Sequence, residues 1–241
     1  MEAKKQFGQH FLINEGVALK IAKRCEGAPL IIEIGPGKGA LTEKLLTNNR
    51  TVIGVELDRE LFNYLKERFK GKNFYLLGGD AAHIKIKREA VICGNLPYNA
   101  AKAIIKNFVL QFNLIPKMVF MVQKEVADTI VAKPQTRDFS KFSVLCQLYY
   151  DTVRLFNVSA GSFKPKPKVV SSVVEFKRKK SNYQIDNSFF KFIDKLFSHP
   201  RKTIKNNLKP FSVEEGFAHK RPSDLSLDEI YYLWRRQWQN S

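Results

Sequence analysis

Apolar and polar positions follow two rhythms along this chain, and the change between them falls near residue 181. Before it, short apolar runs recur: LIIEIG, TVIGVEL, NFYLLGGD, AVICGN and KMVFMVQ. A run that is apolar on both faces suits a strand covered by helices on each side of a sheet. Between the runs lie NEGVALKIAKRC, GKGALTEKLL, DRELFNYLKERF, AAKAIIKNFVL and KEVADTIVA, whose apolar residues return at helical spacing, as in Val17, Ile21 and Cys25. Asn14 is placed to cap the first of these helices. The alternation predicts right-handed βαβ crossovers and an α/β, doubly wound, mostly parallel sheet. After Asp151, TVRLFNVS and KVVSSVVEFK alternate with no helix between them and predict an antiparallel pair at a sheet edge. Beyond Ser181 the pattern is helical, in FFKFIDKLF, RKTIKNNL and LSLDEIYYLWRRQW. The last helix should open with a capping box of Ser226 and Glu229 and a staple from Leu225 to Ile230. Two domains follow from this reading, residues 1–180 and a small all-helical one over 181–241.

Composition narrows the partners. The chain has 241 residues, 44% of them hydrophobic and 12% aromatic, ample for a folded core. No apolar run approaches the ~20 residues needed to span a bilayer. The first residues carry charge with no apolar stretch behind them, so no secretion signal is expected. Cys25, Cys93 and Cys146 are far apart and show no metal-ligand spacing, which predicts reduced, buried thiols in a cytoplasmic protein without a metal. The net charge of +18 points to a polyanion, nucleic acid ahead of membrane, since no basic amphipathic anchor is present. Of the 41 basic and 23 acidic residues, 31 and 16 precede Ser181. The segment FKPKPKVVSSVVEFKRKK is the densest, with seven Lys or Arg against Glu175 alone.

The chemistry gathers at strand ends. In EIGPGKGA, Gly35, Gly37 and Gly39 permit a tight turn into a helix and the approach of backbone amides to a ligand. Their spacing differs from the dinucleotide fingerprint, and no Lys-Ser or Lys-Thr follows as in a P-loop. Glu56 ends the second apolar run, where a carboxylate can accept hydrogen bonds from both ribose hydroxyls. Asp80 closes the third, within reach of an adenine amino group. A ligand with ribose and adenine but no phosphate is S-adenosylmethionine.

The fourth run ends in Asn95-Leu96-Pro97-Tyr98. An exocyclic adenine N6 is a poor nucleophile because its lone pair is delocalised into the ring. The Asn95 side-chain oxygen and the Leu96 carbonyl can accept both N6 hydrogens and favour a pyramidal nitrogen. Pro97 fixes the turn and restricts Leu96 to an extended conformation. Tyr98 offers a face for a base taken out of its stack.

With these motifs the chain resembles the small-subunit ribosomal RNA adenine N6,N6-dimethyltransferases. FGQHFL, EIGPGKGALTEKL, VELD, GNLPYN, MVQKEVA, FKPKPKVVSSVV, FSHPRKTIKNNL and RPSDLSLDE look like that family's segments, in order and over essentially the whole chain. The resemblance implies a Rossmann-like S-adenosylmethionine-dependent methyltransferase sheet with a small C-terminal helical domain that binds RNA. It implies dimethylation of two adjacent adenosines in the 3′-terminal hairpin loop of small-subunit (16S) rRNA, on a pre-30S particle, by a monomer. By analogy His10 and Leu12 close over the cofactor, with Gly35, Gly37, Glu56, Asp80 and Asn95 as further contacts. Phe163 would stack on the target base opposite Tyr98. Lys164, Lys166 and Lys168 would grip phosphates beside it, and Arg201, Lys202 and Lys205 would orient a neighbouring RNA segment. Two alternatives remain at this point. Macrolide-resistance methylases of large-subunit (23S) rRNA share the glycine loop and an Asn-Ile-Pro-Tyr motif, and a non-catalytic RNA-binding assembly or transcription factor could use the same fold.

Overall fold

The computed structural model describes residues 9–46 and 50–237. Phe7 and Gly8 of FGQHFL, and Trp238 of the expected last helix, lie outside the described residues. The elements in chain order are β1 (Phe11–Leu12), α1 (Glu15–Arg24), β2 (Leu30–Ile34), α2 (Ala40–Leu45), β3 (Thr51–Glu56), α3 (Arg59–Arg68), β4 (Phe74–Gly78), β5 (Val91–Asn95), α4 (Ala101–Val109), β6 (Lys117–Gln123), α5 (Lys124–Val131) and α6 (Lys141–Gln147). They continue with β7 (Tyr150–Val158), β8 (Phe163–Lys164), β9 (Ser171–Arg178), α7 (Asn187–Leu196), α8 (Ile204–Leu208), α9 (Glu215–Ala218) and α10 (Leu227–Gln237).

Seven strands form one sheet in the order β4-β3-β2-β5-β6-β9-β7. The five from β4 to β6 are parallel, and β9 runs antiparallel to β6. The chain lays β3 and β4 on one side of β2, then returns to place β5 on the other. That reversal opens a crevice at the carboxyl ends of β2, β3 and β5, the place where such sheets bind ligands. Separately, β1 pairs antiparallel with β8, Leu12 opposite Phe163.

The helices form where their caps and apolar stripes dictate. The Asn14 side chain accepts from the Val17 N–H at 3.1 Å, and Ile21 and Cys25 are fully buried. One core layer joins Ile21 and Cys25 of this region to Leu41 and Leu45 of α2 and to Ile31, Val52, Cys93 and Val119 of the sheet. The expected capping box is present: Ser226 N–H donates to Glu229 at 2.8 Å, and Glu229 N–H donates to the Ser226 hydroxyl at 3.1 Å. Among the described residues, no helix is long and apolar enough to cross a membrane.

Contacts divide the chain into two compact units. One holds the residues up to Ala127 together with Asp151–Arg178; the other holds Asp128–Tyr150 and the residues from Lys179 onward. Asp128–Tyr150, expected in the first domain, therefore clusters with the helical unit. Its helix α6 has no strong sequence signal, because KFSVLCQ is rich in residues that suit a strand equally well. Tertiary bonds decide it. The buried Ser143 hydroxyl accepts from Ser140 N–H at 3.0 Å and donates to the Thr129 carbonyl at 2.6 Å. Gln147 donates to the carbonyls of Ile130 and Ala132, each at 2.8 Å.

In the same unit Gln135 adopts φ +66° and donates its backbone N–H to the Ser223 carbonyl at 2.7 Å. A left-handed non-glycine residue costs about 1–2 kcal/mol. Gln135→Gly relieves this strain and loses part of the gain to unfolded-state entropy. A rise of about 2–4 °C in melting temperature is expected, since 1 kcal/mol moves a domain of this size by that much. An unchanged or lowered melting temperature would show the position to be unstrained.

Candidate active site

The carboxyl ends of the parallel strands surround a cleft of roughly 1010 Å³, open to solvent. The glycine loop forms its floor. Gly35 N–H donates to the Val55 carbonyl at 2.9 Å, tying the loop to β3. Gly37 and Gly39 have φ of +60° and +83°, and Gly39 is the residue that precedes α2. A Cβ on Gly37 would stand 3.1 Å from the Phe11 ring, and one on Gly39 only 2.6 Å from Phe69. The loop thus needs glycine for both conformation and space.

Four carboxyl side chains, Glu33, Glu56, Asp58 and Asp80, line this cleft, with Lys38 as the only Lys or Arg among its described lining residues. Such a lining suits a cationic ligand and disfavours a phosphate. Glu56 is held on both oxygens: Asp58 N–H donates to one at 3.0 Å and Gly37 N–H to the other at 3.2 Å. Each oxygen keeps a second lone pair for a ligand hydroxyl. Burial pushes the Glu56 carboxyl above its ordinary value, and the Asp58 and Gly37 amides oppose this. Asp80 sits at the rim, where one oxygen accepts from Ala82 N–H at 2.9 Å and the other lies 3.8 Å from the His83 ring.

Glu33 is a site residue that the sequence reading missed. It is 1% exposed and accepts from the Thr42 hydroxyl at 2.6 Å. The available signal was an acid in the middle of an apolar run, LIIEIG, where an uncompensated charge is costly.

Asn95 ends β5 on the far side of the cleft. Its side-chain N–H donates to the His10 carbonyl at 2.8 Å, while Oδ1 is buried with no partner among the described residues. A buried acceptor left unmade costs about 1–3 kcal/mol, so this atom is poised for a donor from a ligand. Leu96 N–H donates to the Met121 carbonyl at 3.0 Å and Ala100 N–H to the Pro97 carbonyl at 3.1 Å, which fixes the turn on either side of the proline. Tyr98 is half-buried, its hydroxyl 2.7 Å from that of Ser171. Burial raises the phenol above its ordinary value against the effect of the Ser171 bond, so the ring stays neutral at physiological pH.

Residues 9–12 cross over the cleft. The Phe11 ring lies beneath the Lys38 ammonium at 5.0 Å, and Leu12 is buried. His10, Leu12, Gly35, Gly37, Glu56, Asp80 and Asn95–Tyr98 all line the one cleft. Phe163 is the exception. It is 3% exposed and packs in the core layer with Leu12, Ile21, Val158 and Val173. Pairing of β8 with β1 sets Phe163 opposite Leu12 of the segment that crosses the cleft, with Phe163 buried and Lys164 exposed. Lys164, Lys166 and Lys168 are exposed, with Pro167 buried among them. In the helical unit Arg201, Lys202 and Lys205 are exposed. The buried Asn207 holds their turn by donating to the carbonyls of His199 and Lys202 at 3.1 and 3.4 Å.

Known proteins share these features. The family model for ribosomal RNA adenine dimethylases matches residues 1–226. Ribosomal RNA small subunit methyltransferase A of Thermotoga maritima is 38% identical over 242 residues, covering 97% of this chain and 86% of the relative. The crystal structure of a dimethyladenosine transferase from Plasmodium falciparum superposes with a TM-score of 0.83 at 24% identity, over 94% of this chain and 96% of that one. The 23S rRNA methyltransferase ErmE gives 0.69 at 22% identity, over 92% and 98%. The two structures show the fold; the sequence matches go further. A match of this extent and identity makes the chain a member of the ribosomal RNA adenine dimethylase family, whose methyl groups come from S-adenosylmethionine.

Proposed function

We propose that this protein dimethylates N6 of two adjacent adenosines in the terminal hairpin of small-subunit rRNA. The observation that carries the reading is the orphaned Asn95 Oδ1, a buried acceptor beside an acid-lined cleft. S-adenosylmethionine, when bound, supplies an electrophilic methyl group on a sulfonium. Gly35, Gly37 and Leu12 would hold it, with Glu56 on the ribose hydroxyls and Asp80 near the adenine. Asn95 Oδ1 and the Leu96 carbonyl accept the N6 hydrogens of the target and direct its lone pair. Tyr98 supplies a face for the extruded base. In-line attack then depends on positioning, and no side-chain base is needed, because a methylated N6 cation gives its proton to water.

Glu56→Ala should weaken S-adenosylmethionine binding about 10- to 100-fold, the equivalent of losing hydrogen bonds to a charged acceptor. Calorimetry giving the wild-type affinity would remove Glu56 from the site.

The RNA partner is supported by the exposed Lys164, Lys166 and Lys168 and, in the helical unit, by Arg201, Lys202 and Lys205. We place the reaction in the cytoplasm, on a pre-30S particle, with the protein acting as a monomer; the free, buried Cys25, Cys93 and Cys146 fit a reducing compartment. Replacing Lys164, Lys166 and Lys168 together by alanine should weaken RNA binding about tenfold. It should flatten the slope of log affinity against log salt by about 2, at roughly 0.7 per contact to a single strand. Cofactor affinity should not change. An identical salt slope in mutant and wild type would move the RNA surface elsewhere.

The direct test is mass spectrometry of unmethylated small-subunit and large-subunit RNA after incubation with the protein and S-adenosylmethionine. Dimethyladenosine at two adjacent small-subunit positions is expected. Its appearance only in large-subunit RNA, or in neither, would overturn the proposal.

A further inference from the structure

One face of the parallel sheet is covered unevenly. The chain steps outward from β2 to β4 through α2 and α3, so the return from β4 to β5 crosses the opposite face to stay right-handed. Such a crossover is usually a helix. Here residues 79–90 form none. They are strapped to α4 instead. The Asn107 side chain donates to the carbonyls of Ala81 and Ile84 at 3.0 and 2.8 Å, and Ile86 N–H donates to the Gln111 side chain at 2.7 Å. The crossover therefore shelters the middle of the sheet and leaves its β4 edge bare.

Strand register makes the gradient explicit. Phe74 turns toward the end of α3, its ring 5.2 Å from that of Phe69, so Tyr75 and Leu77 point to the other face. On that face Ile92, Ile32, Ile53 and Tyr75 stand in one row across β5, β2, β3 and β4. Exposure climbs along the row, from 0% and 7% through a half-buried Ile53 to 60% at Tyr75. In the next row Val55 is buried, while Leu77 beside it is 44% exposed.

Cations accompany the bare strip. Alternation within the crossover buries Ile86 and turns His83, Lys85 and Lys87 outward, and Arg88 follows them, exposed. From Lys70 to Arg88 the sequence holds five Lys or Arg against Asp80 alone, and Asp80 belongs to the cleft rim. Glu89, the next acid, is engaged by Arg178 at 3.3 Å. The crossover spans three strand intervals, about 15 Å, so one extended polyanion reaches Tyr75 and these cations together.

We propose that this edge is a second RNA-docking surface, where an unpaired ribosomal RNA segment stacks a base on Tyr75 and lays its phosphates along Lys85, Lys87 and Arg88; this rests on the RNA-modifying reading above. An exposed ring beside cations holds single strands without reading their sequence. A protein partner fits less well. Interface cores are poor in lysine, and two exposed apolar side chains fall short of the roughly 800 Å² per partner that a stable protein interface buries. The Lys164–Lys168 segment leads into β9, five strand intervals from β4 or about 24 Å, so the two surfaces hold different parts of the RNA.

Filter binding to protein-free small-subunit RNA and to unmethylated small-subunit particles, over a range of salt, tests this. Calorimetry with S-adenosylmethionine and a thermal melt accompany each variant. Replacing Lys85, Lys87 and Arg88 together by alanine should weaken both interactions about tenfold and flatten the salt slope by about 2, at roughly 0.7 per contact. Tyr75→Ser should weaken both about five- to tenfold with the slope unchanged, because stacking releases no counterions. Tyr75→Trp should bind at least as tightly as wild type. Cofactor affinity and the rate of methyl transfer at saturating RNA should match wild type in every variant. Full RNA affinity in the triple variant and in Tyr75→Ser would overturn the proposal, as would equal losses in Tyr75→Ser and Tyr75→Trp. A loss on particles but not on protein-free RNA would also overturn it, by placing a ribosomal protein on this edge. A wild type that binds RNA but transfers no methyl group would overturn the functional reading alone, and the binding data would still decide this surface.

Discussion

Asn95→Ala is expected to slow methyl transfer by about 1,000-fold or more while leaving RNA affinity within about twofold of wild type. Asn95 acts on one amino group, whereas RNA affinity comes from many phosphate contacts spread over exposed cations. Two losses combine in the variant. The acceptor Oδ1, buried and without a partner among the described residues, disappears. The 2.8 Å bond to the His10 carbonyl disappears too, and with it the tie between β5 and the segment crossing the cleft. Asn95→Asp separates the two. It retains an acceptor but turns a carboxylate oxygen toward the His10 carbonyl, two acceptors facing each other, so it should be as slow as alanine. Single-turnover formation of dimethyladenosine is the measurement. A wild-type rate in Asn95→Ala would refute the role of its amide, and a wild-type rate in Asn95→Asp would confine that role to Oδ1.

Much of this site was legible because parallel sheets place chemistry at strand ends. Gly35 to Gly39, Glu56, Asp80 and Asn95 each follow an apolar run, and a doubly wound sheet brings the carboxyl ends of those runs together. The expected order of strands and helices through Lys124–Val131 is present, because there each run has one reading. Failure came where long-range pairing decides. Phe163 stands in a loop-like stretch of prolines and lysines, and nothing local announces that it will pair with Leu12, 151 positions earlier in the sequence, and be buried. The α6 segment has no decisive local pattern, and the bonds from the Ser143 and Gln147 side chains to the Thr129 and Ile130 carbonyls settle it as a helix. Glu33 was passed over for a different reason: periodicity weighs hydropathy, and one acid in five strand residues does not change the pattern.

That acid should set how the stability of the protein depends on pH. Burial, the largest cause, pushes the Glu33 carboxyl from its ordinary 4.5 up to about 8; the Thr42 hydroxyl bond opposes this, and the neighbouring Glu56 charge adds to it. The folded protein therefore keeps a proton on Glu33 that the unfolded chain has released. Between these two values the folded state binds more protons, so stability falls as pH rises. Below 4.5 the stabilisation is fully present, and it is lost progressively until pH passes about 8. At about 1.36 kcal/mol per pH unit the whole loss is on the order of 5 kcal/mol. Glu33→Gln keeps the shape and the acceptor for Thr42 but cannot ionise. Wild type and variant should melt alike near pH 4.5, and the variant should become progressively more stable toward pH 8, with a gap on the order of 10 °C. The gap should then stay constant at higher pH, because Glu33 is ionised in both states there. Melting curves of the ligand-free proteins across this range provide the check. A wild type that gains on the variant as pH rises would mean that Glu33 is buried as a carboxylate, held by charges in the cleft wall rather than by its proton.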